Sequence, residues 1–146
     1  AEFGTMLRSR GASIVQPATG RSGGLWETKK IAALAEAFGA QVAPHLYAGP
    51  VEWAANIHLG VTLPNLLLVE CIEEGGAFHL PLIGHAITVE EGFIRAPDAP
   101  GLGIDFDEAR ARAHPYDGTA LHLQMQEAPC DYVKGNDFEG GAPRNE

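Results

Sequence analysis

Cysteine is scarce in this chain. Cys71 and Cys130 are the two in 146 residues, and they stand far apart. A disulfide framework would need more of them and a zinc site closer spacing, so free thiols in a reducing compartment are expected. Basic residues are scarce as well. Ten Lys and Arg face 19 Asp and Glu, for a formal charge of −9. A nucleic-acid footprint needs a basic patch, and this balance argues against one. No apolar run approaches the ~20 residues of a membrane-spanning helix, and no secretory signal is visible. The composition suits an acidic cytoplasmic protein with neither nucleic acid nor membrane as partner. A phosphate loop is missing too. Gly20-Arg21-Ser22-Gly23-Gly24 supplies glycines without the spacing of either common phosphate-binding motif, so a tight strand-to-helix turn is the better reading.

What the chain does have is alternation. Ile14-Val15-Gln16 is a short strand ahead of Pro17. Ile31, Leu34, Ala35 and Phe38 then stand at i, i+3, i+4 and i+7, the spacing of one helix face. That helix begins near Trp26-Glu27, with an acid suited to its positive end, and Gly39 can end it in a left-handed conformation. Val42 to His45 reads as a second strand. Val51 to Leu63 reads as a second helix, with Pro50 suited to its first turn. Leu66 to Val69 is a third strand, apolar on both faces. Such strands separated by helices predict an α/β fold with a parallel sheet covered on both sides. Ligands bind these sheets at the carboxyl ends of the strands. Those ends hold Thr19-Gly20-Arg21, His45-Leu46-Tyr47 and Glu70.

The flanks carry less pattern. Residues 1–5, ahead of Met6, read as a cloning scar and are set outside the fold. Leu7 to Ala12 reads as the end of a helix stopped at Gly11. Cys71 to Gly84 shows no period and reads as a loop. Ala86 to Val89 and Phe93 to Arg95 flank Glu90-Glu91-Gly92, a β-hairpin pattern. After the proline-glycine loop Ala96 to Gly103, Asp105 with Glu108 resembles a capping box for a short helix to about Ala113. Leu121 to Met125 could form one strand, and Gly135 to Glu146 is expected to be disordered. The expected divisions are therefore 1–5 as scar, 6–84 as the αβ unit, 85–114 as hairpin, loop and short helix, and 115–146 as an irregular tail.

Four segments carry a resemblance: GGLWETKKIAALAEAFG, VAPHLYAGPVEWAANIHL, LPNLLLVE and GFIRAPDAPGLGIDFDE. In order and spacing, from about Ile14 to Glu108, they resemble the enolase superfamily. The match is to the mandelate racemase/muconate lactonizing enzyme-like group that includes the acid-sugar dehydratases. The resemblance implies a modified TIM-like barrel, (β/α)7β, with the three strands here as the sixth, seventh and eighth. A complete barrel takes ~250 residues, so this sequence looks like the last third of such an enzyme.

The resemblance also implies the chemistry. A base removes the proton α to a carboxylate while Mg2+, held by carboxylates on the third, fourth and fifth strands, neutralises the developing charge. Those metal ligands lie outside this chain. His45, in the motif PHLYAGP, occupies the place of the seventh-strand catalytic histidine, and imidazole moves protons readily near neutral pH. Glu70 occupies the place of the eighth-strand acid that contacts the substrate carboxylate. One position departs from the pattern. The family's histidine usually pairs with an aspartate in a Gln-Pro-Asp sequence, and here the chain reads Gln16-Pro17-Ala18. The usual dyad is thus absent unless another acid replaces it.

Two functions follow. In the first, which the resemblance implies, the chain is expected to be the C-terminal part of a Mg-dependent acid-sugar dehydratase, a lyase acting on a small-molecule carboxylate. Alternatively it is an inactive fragment, stable only as a homo-oligomer or with the missing N-terminal portion. A weaker third reading is a small-anion module built on the strand ends and Arg21. The remaining five histidines read as packing or surface residues, and Trp26 and Trp53, each at a helix start, read as packing residues.

Overall fold

A computed structural model describes residues 2–71 and 76–115, with side chains placed for 2–71 and 79–115. By contact the chain divides into residues 1–114 and 115–146. The possible strand at Leu121 to Met125 and the tail from Gly135 lie outside the described residues, as does Cys130. Among the described residues no helix is long and apolar enough to cross a membrane.

The alternation becomes α1 (Glu2–Arg8), β1 (Ile14–Val15), α2 (Gly24–Ala37), β2 (Gln41–Val42) and α3 (Pro50–Gly60). β1 and β2 pair in parallel, Ile14 with Gln41 and Val15 with Val42. Burial alternates along both strands. Val15 and Val42 are buried with Ala32, Ala35, Leu59 and Leu63 of the helical side, whereas Ile14 and Gln41 lie on the open face. α2 ends as its glycine implied. Gly39 is left-handed at φ 72°, its N–H donates to Glu36 O, and the Ala40 N–H donates to Ala35 O, a Schellman closure.

Three strand expectations are shortened, and two prolines explain why. In a parallel ladder alternate residues of a strand donate to each neighbour. Val42 donates to Asn65 O, and its carbonyl accepts from Leu67 N–H. The next donor toward that side would be residue 44, and Pro44 has no N–H. The third run therefore keeps a single bridge, Val42 to Leu66, instead of a strand over Leu66 to Val69. Pro17 stops β1 in the same way, and both prolines are fully buried.

Several expectations at the flanks change. Residues 2–5, set outside the fold as a scar, belong to α1, where Phe3 and Met6 pack against the first core cluster. α1 is the helix expected to end near Gly11. The stretch read as a loop after Cys71 contains α4 (Gly76–Leu82). The hairpin forms as β3 (Val89–Glu90) and β4 (Phe93–Ile94), and its turn residues Glu91 and Gly92 both take positive φ, 51° and 80°. This is the two-residue turn whose twist matches the flanking strands. α5 (Glu108–Ala113) is capped by Asp107 and not by Asp105: the Arg110 N–H donates to the Asp107 carboxylate at 2.8 Å. Trp53 is buried as expected, but Trp26 is 71% exposed, with Lys30 over its ring.

A second core cluster forms on the far side of α3. Leu46, Trp53, Ala54 and Ile57 meet Ile83 and Ile87, and Val89, Ile94, Leu102 and Ile104 pack against them. The segment after Cys71 thus covers α3, while Ile14, Leu67 and Leu68 stay 44%, 43% and 50% exposed. Leu59 sits in the first cluster at 4% exposure. Leu59→Ala should lower unfolding free energy in urea by ~2–5 kcal/mol. Val61→Ala, two residues on and 68% exposed, should change it by under ~0.5 kcal/mol. Equal midpoints for the two variants would show that Leu59 has no role in the core.

Candidate active site

The prolines that end the ladder also place the site. Beyond Pro17 and Pro44 the register continues as one isolated bridge, Ala18 to His45, with the His45 N–H donating to Pro17 O at 3.2 Å. His45 thus stands at the carboxyl end of the middle strand, where the main chain still donates on the β1 side but turns to a side chain on the other. A buried amide takes over. The Asn56 side chain, on α3 and 0% exposed, donates from Nδ2 to His45 O at 3.3 Å. Its Oδ1 accepts from the Thr19 hydroxyl at 2.5 Å. The ends of β1 and β2 are therefore tied to one helix through the buried Asn56 amide, and buried polar groups are stable when paired in this way.

The His45 side chain meets Glu70. His45 Nδ1 lies 2.8 Å from Glu70 Oε2, and the Leu46 N–H donates to that same oxygen at 2.6 Å. Both side chains are part-exposed, at 37% and 36%. Among the described residues His45 Nε2 has no hydrogen-bond partner. A second carboxylate, Glu52 in the first turn of α3, accepts from the Gly20 N–H in the loop after β1 at 2.8 Å. An imidazole held by a carboxylate on one nitrogen and open on the other can take up and release a proton.

Both residues singled out from the sequence, His45 and Glu70, are brought together, with Ala18 alongside. The other histidines stand apart in role. His58 Nε2 contacts Leu102 O at 3.0 Å and ties the proline-glycine loop to α3. His114 Nδ1 contacts Arg110 O. His85 occupies a left-handed turn position, His79 lies on α4, and His122 is outside the described residues. Sequence reasoning missed Asn56 and Glu52. A polar residue between Ala55 and Ile57, on a helix apolar nearly all round, was the available signal for Asn56.

The implied magnesium can be tested against these side chains. Mg2+ prefers an octahedron of oxygens, several from carboxylates or water. Among the described residues no three or more His, Cys, Asp or Glu side chains converge to hold a metal ion. The carboxylates at the site are engaged, Glu70 with His45 and Leu46 and Glu52 with Gly20. The described residues do not fit a magnesium site.

Comparison with known proteins identifies the family. The sequence model of the Enolase C-terminal domain-like family matches residues 1–110. The D-galactonate dehydratase of Ralstonia pickettii (strain 12J) is 39% identical over 114 residues, covering 74% of this chain and 30% of the relative. The crystal structure of a mandelate racemase/muconate lactonizing enzyme from Sulfitobacter sp. superposes with a TM-score of 0.80 at 66% identity, over 90% of this chain and 33% of that one. An enolase from Pantoea ananatis, solved with bound D-gluconate and Mg, gives a TM-score of 0.71 at 26% identity, over 78% of this chain and 28% of its own. The chain spans about a third of the length of the relatives it matches. An α/β unit with parallel strands, a histidine at a strand's carboxyl end and a family match over residues 1–110 lead to one conclusion: the chain belongs to the Enolase C-terminal domain-like family of the enolase superfamily.

Proposed function

We propose that this chain carries the histidine side of an acid-sugar dehydratase site, with β1, β2 and the third run as the sixth, seventh and eighth strands of the barrel. His45 is the proton-transfer group, and the substrate is a small sugar acid. The observation that carries this reading is the placement of His45. It stands at the carboxyl end of a parallel strand, its main chain held by Asn56 and its ring by Glu70. Similarity to a D-galactonate dehydratase, and to an enolase solved with D-gluconate, supports the substrate class.

The chemistry asks for such a group. In a 2,3-dihydroxy acid the proton α to the carboxylate leaves to a base, and the hydroxyl on the β-carbon departs. Hydroxide is a poor leaving group unless a proton reaches it as the bond breaks, so water is the product when an imidazolium donates. The enol that remains rearranges to a 2-keto acid. Negative charge grows on the carboxylate oxygens as the α-proton leaves, and neutralising it is the task of a divalent metal or other fixed positive groups. The described residues of this chain supply no such set, so that contribution belongs to strands outside it.

A second reading, a chain without activity of its own, is favoured by the same missing set and by coverage of about a third of the relatives' length. Joined to the barrel strands it lacks, the chain should convert a sugar acid to a 2-keto acid. There His45→Asn should reduce kcat by ~10²–10⁴-fold with KM nearly unchanged. Full activity in that variant would remove His45 from the reaction. The chain alone should give no 2-keto acid; turnover by it would overturn the division of the site between chains or segments.

The open sheet face suggests how the isolated chain behaves. Ile14 and Leu67 are exposed there, and among the described residues no strand pairs with the far edges of β1 and the third run. Exposed edges of this kind recruit further strands, and a two-fold dimer is the simplest closed solution. Sedimentation equilibrium at micromolar concentration should show a dimer or larger species. A cooperatively melting monomer would show that the face needs no cover.

A further inference from the structure

We infer that Glu70 is the positioning carboxylate of His45, and that it sets which imidazole nitrogen carries the proton. The inference deepens the reading above and rests on His45 as the proton-transfer group. In place of the substrate-contact role that the family resemblance implies for Glu70, its carboxylate faces inward along the chain's own site.

Three contacts carry this. Glu70 Oε2 lies 2.8 Å from His45 Nδ1, a hydrogen-bond distance between an acceptor-only carboxylate and a ring nitrogen. An ionised carboxylate cannot donate, so Nδ1 must be the protonated nitrogen and Nε2 the one left with a lone pair. The Leu46 N–H donates to the same Oε2 at 2.6 Å, so the carboxylate is itself held by the main chain next to His45. Ala18, bridged directly to His45, has no side-chain acceptor with which to compete. The position opposite His45 that could hold an acid holds a methyl group, and the acid comes from the third run instead.

The electrostatics point the same way. A carboxylate aimed at a substrate carboxylate would meet like charge without a proton to share, whereas one facing the ring and a peptide N–H has a donor on both sides. Oriented in this way, Glu70 holds the ring through Nδ1 and leaves Nε2 unbonded among the described residues. Asn56 fixes the peptide of the same residue through His45 O. Side chain and main chain of His45 are thus held by different elements, which limits how far either can wander.

The test reads the tautomer and needs no substrate. In the uniformly 15N-labelled 146-residue chain, long-range proton–nitrogen correlation at alkaline pH reports which ring nitrogen of each neutral histidine is protonated. The His45 signal is assigned by its loss in His45→Gln. Wild type should show the Nδ1–H form. Glu70→Ala should lose that form in favour of Nε2–H, and the Leu46 amide should exchange with solvent faster. A wild-type His45 in the Nε2–H form would overturn the inference, as would Nδ1–H persisting unchanged in Glu70→Ala. Should Glu70→Ala fail to fold, the wild-type spectrum alone still decides. A failed dehydratase assay leaves this result standing, and an Nε2–H tautomer leaves the family's reaction untouched.

Discussion

Val42 is the point on which the described structure depends. Its side chain is fully buried between the helices, and its amide and carbonyl both bond the third run through Asn65 and Leu67. The residues on either side of it, Gln41 and Ala43, donate in the other direction, to Ser13 and Val15. Three successive residues of the middle strand thereby join three segments that are distant in sequence. Parallel strands need such a centre because their crossovers leave no hairpin to hold neighbours in register. α2 and α3 are the crossovers, and their small residues Ala32, Ala35 and Gly60 let the helices approach the strands closely.

The same strand decides where chemistry can occur. Regular bonding satisfies every backbone group along a ladder, leaving nothing to point at a ligand. Pro17 and Pro44 interrupt that regularity side by side, at the carboxyl ends. Past them the chain must find other partners, and it finds side chains: Asn56 for the His45 carbonyl, Glu70 for the Leu46 amide, Glu52 for the Gly20 amide. The functional candidates are what a strand end looks like when its backbone is satisfied by polar side chains and not by another strand. Candidate and structural roles accordingly overlap, since Glu70 meets a peptide N–H and the His45 ring with one oxygen.

Much of this was legible in the sequence, for identifiable reasons. The helix from Gly24 announced itself by its period and by Gly39, and the hairpin by Glu91-Gly92, because both signals are local. His45 and Glu70 stood out because each ends an apolar run, and the family resemblance gave them places in a known site. The helix over Gly76–Leu82 was not legible. It spans seven residues, too short to show a period, and contains Pro81. Trp26 was read as packing, yet the helix turns it to solvent beside Lys30, since its face depends on where the preceding turn releases the chain.

By itself the sequence determined the α/β alternation, the parallel order of the strands, the family and the two residues at the strand ends. These depend on periodicity, turn chemistry and motif spacing, all carried by neighbours along the chain. Only the tertiary structure decided that Glu70 meets the ring of His45, beside an Ala18 that offers no acid, and that Asn56 holds the peptide of His45. Those contacts join residues 25 and 11 positions apart. No local pattern encodes them, because the distance between two such side chains is set by how far the prolines shorten the strands and by the depth at which α3 packs against them.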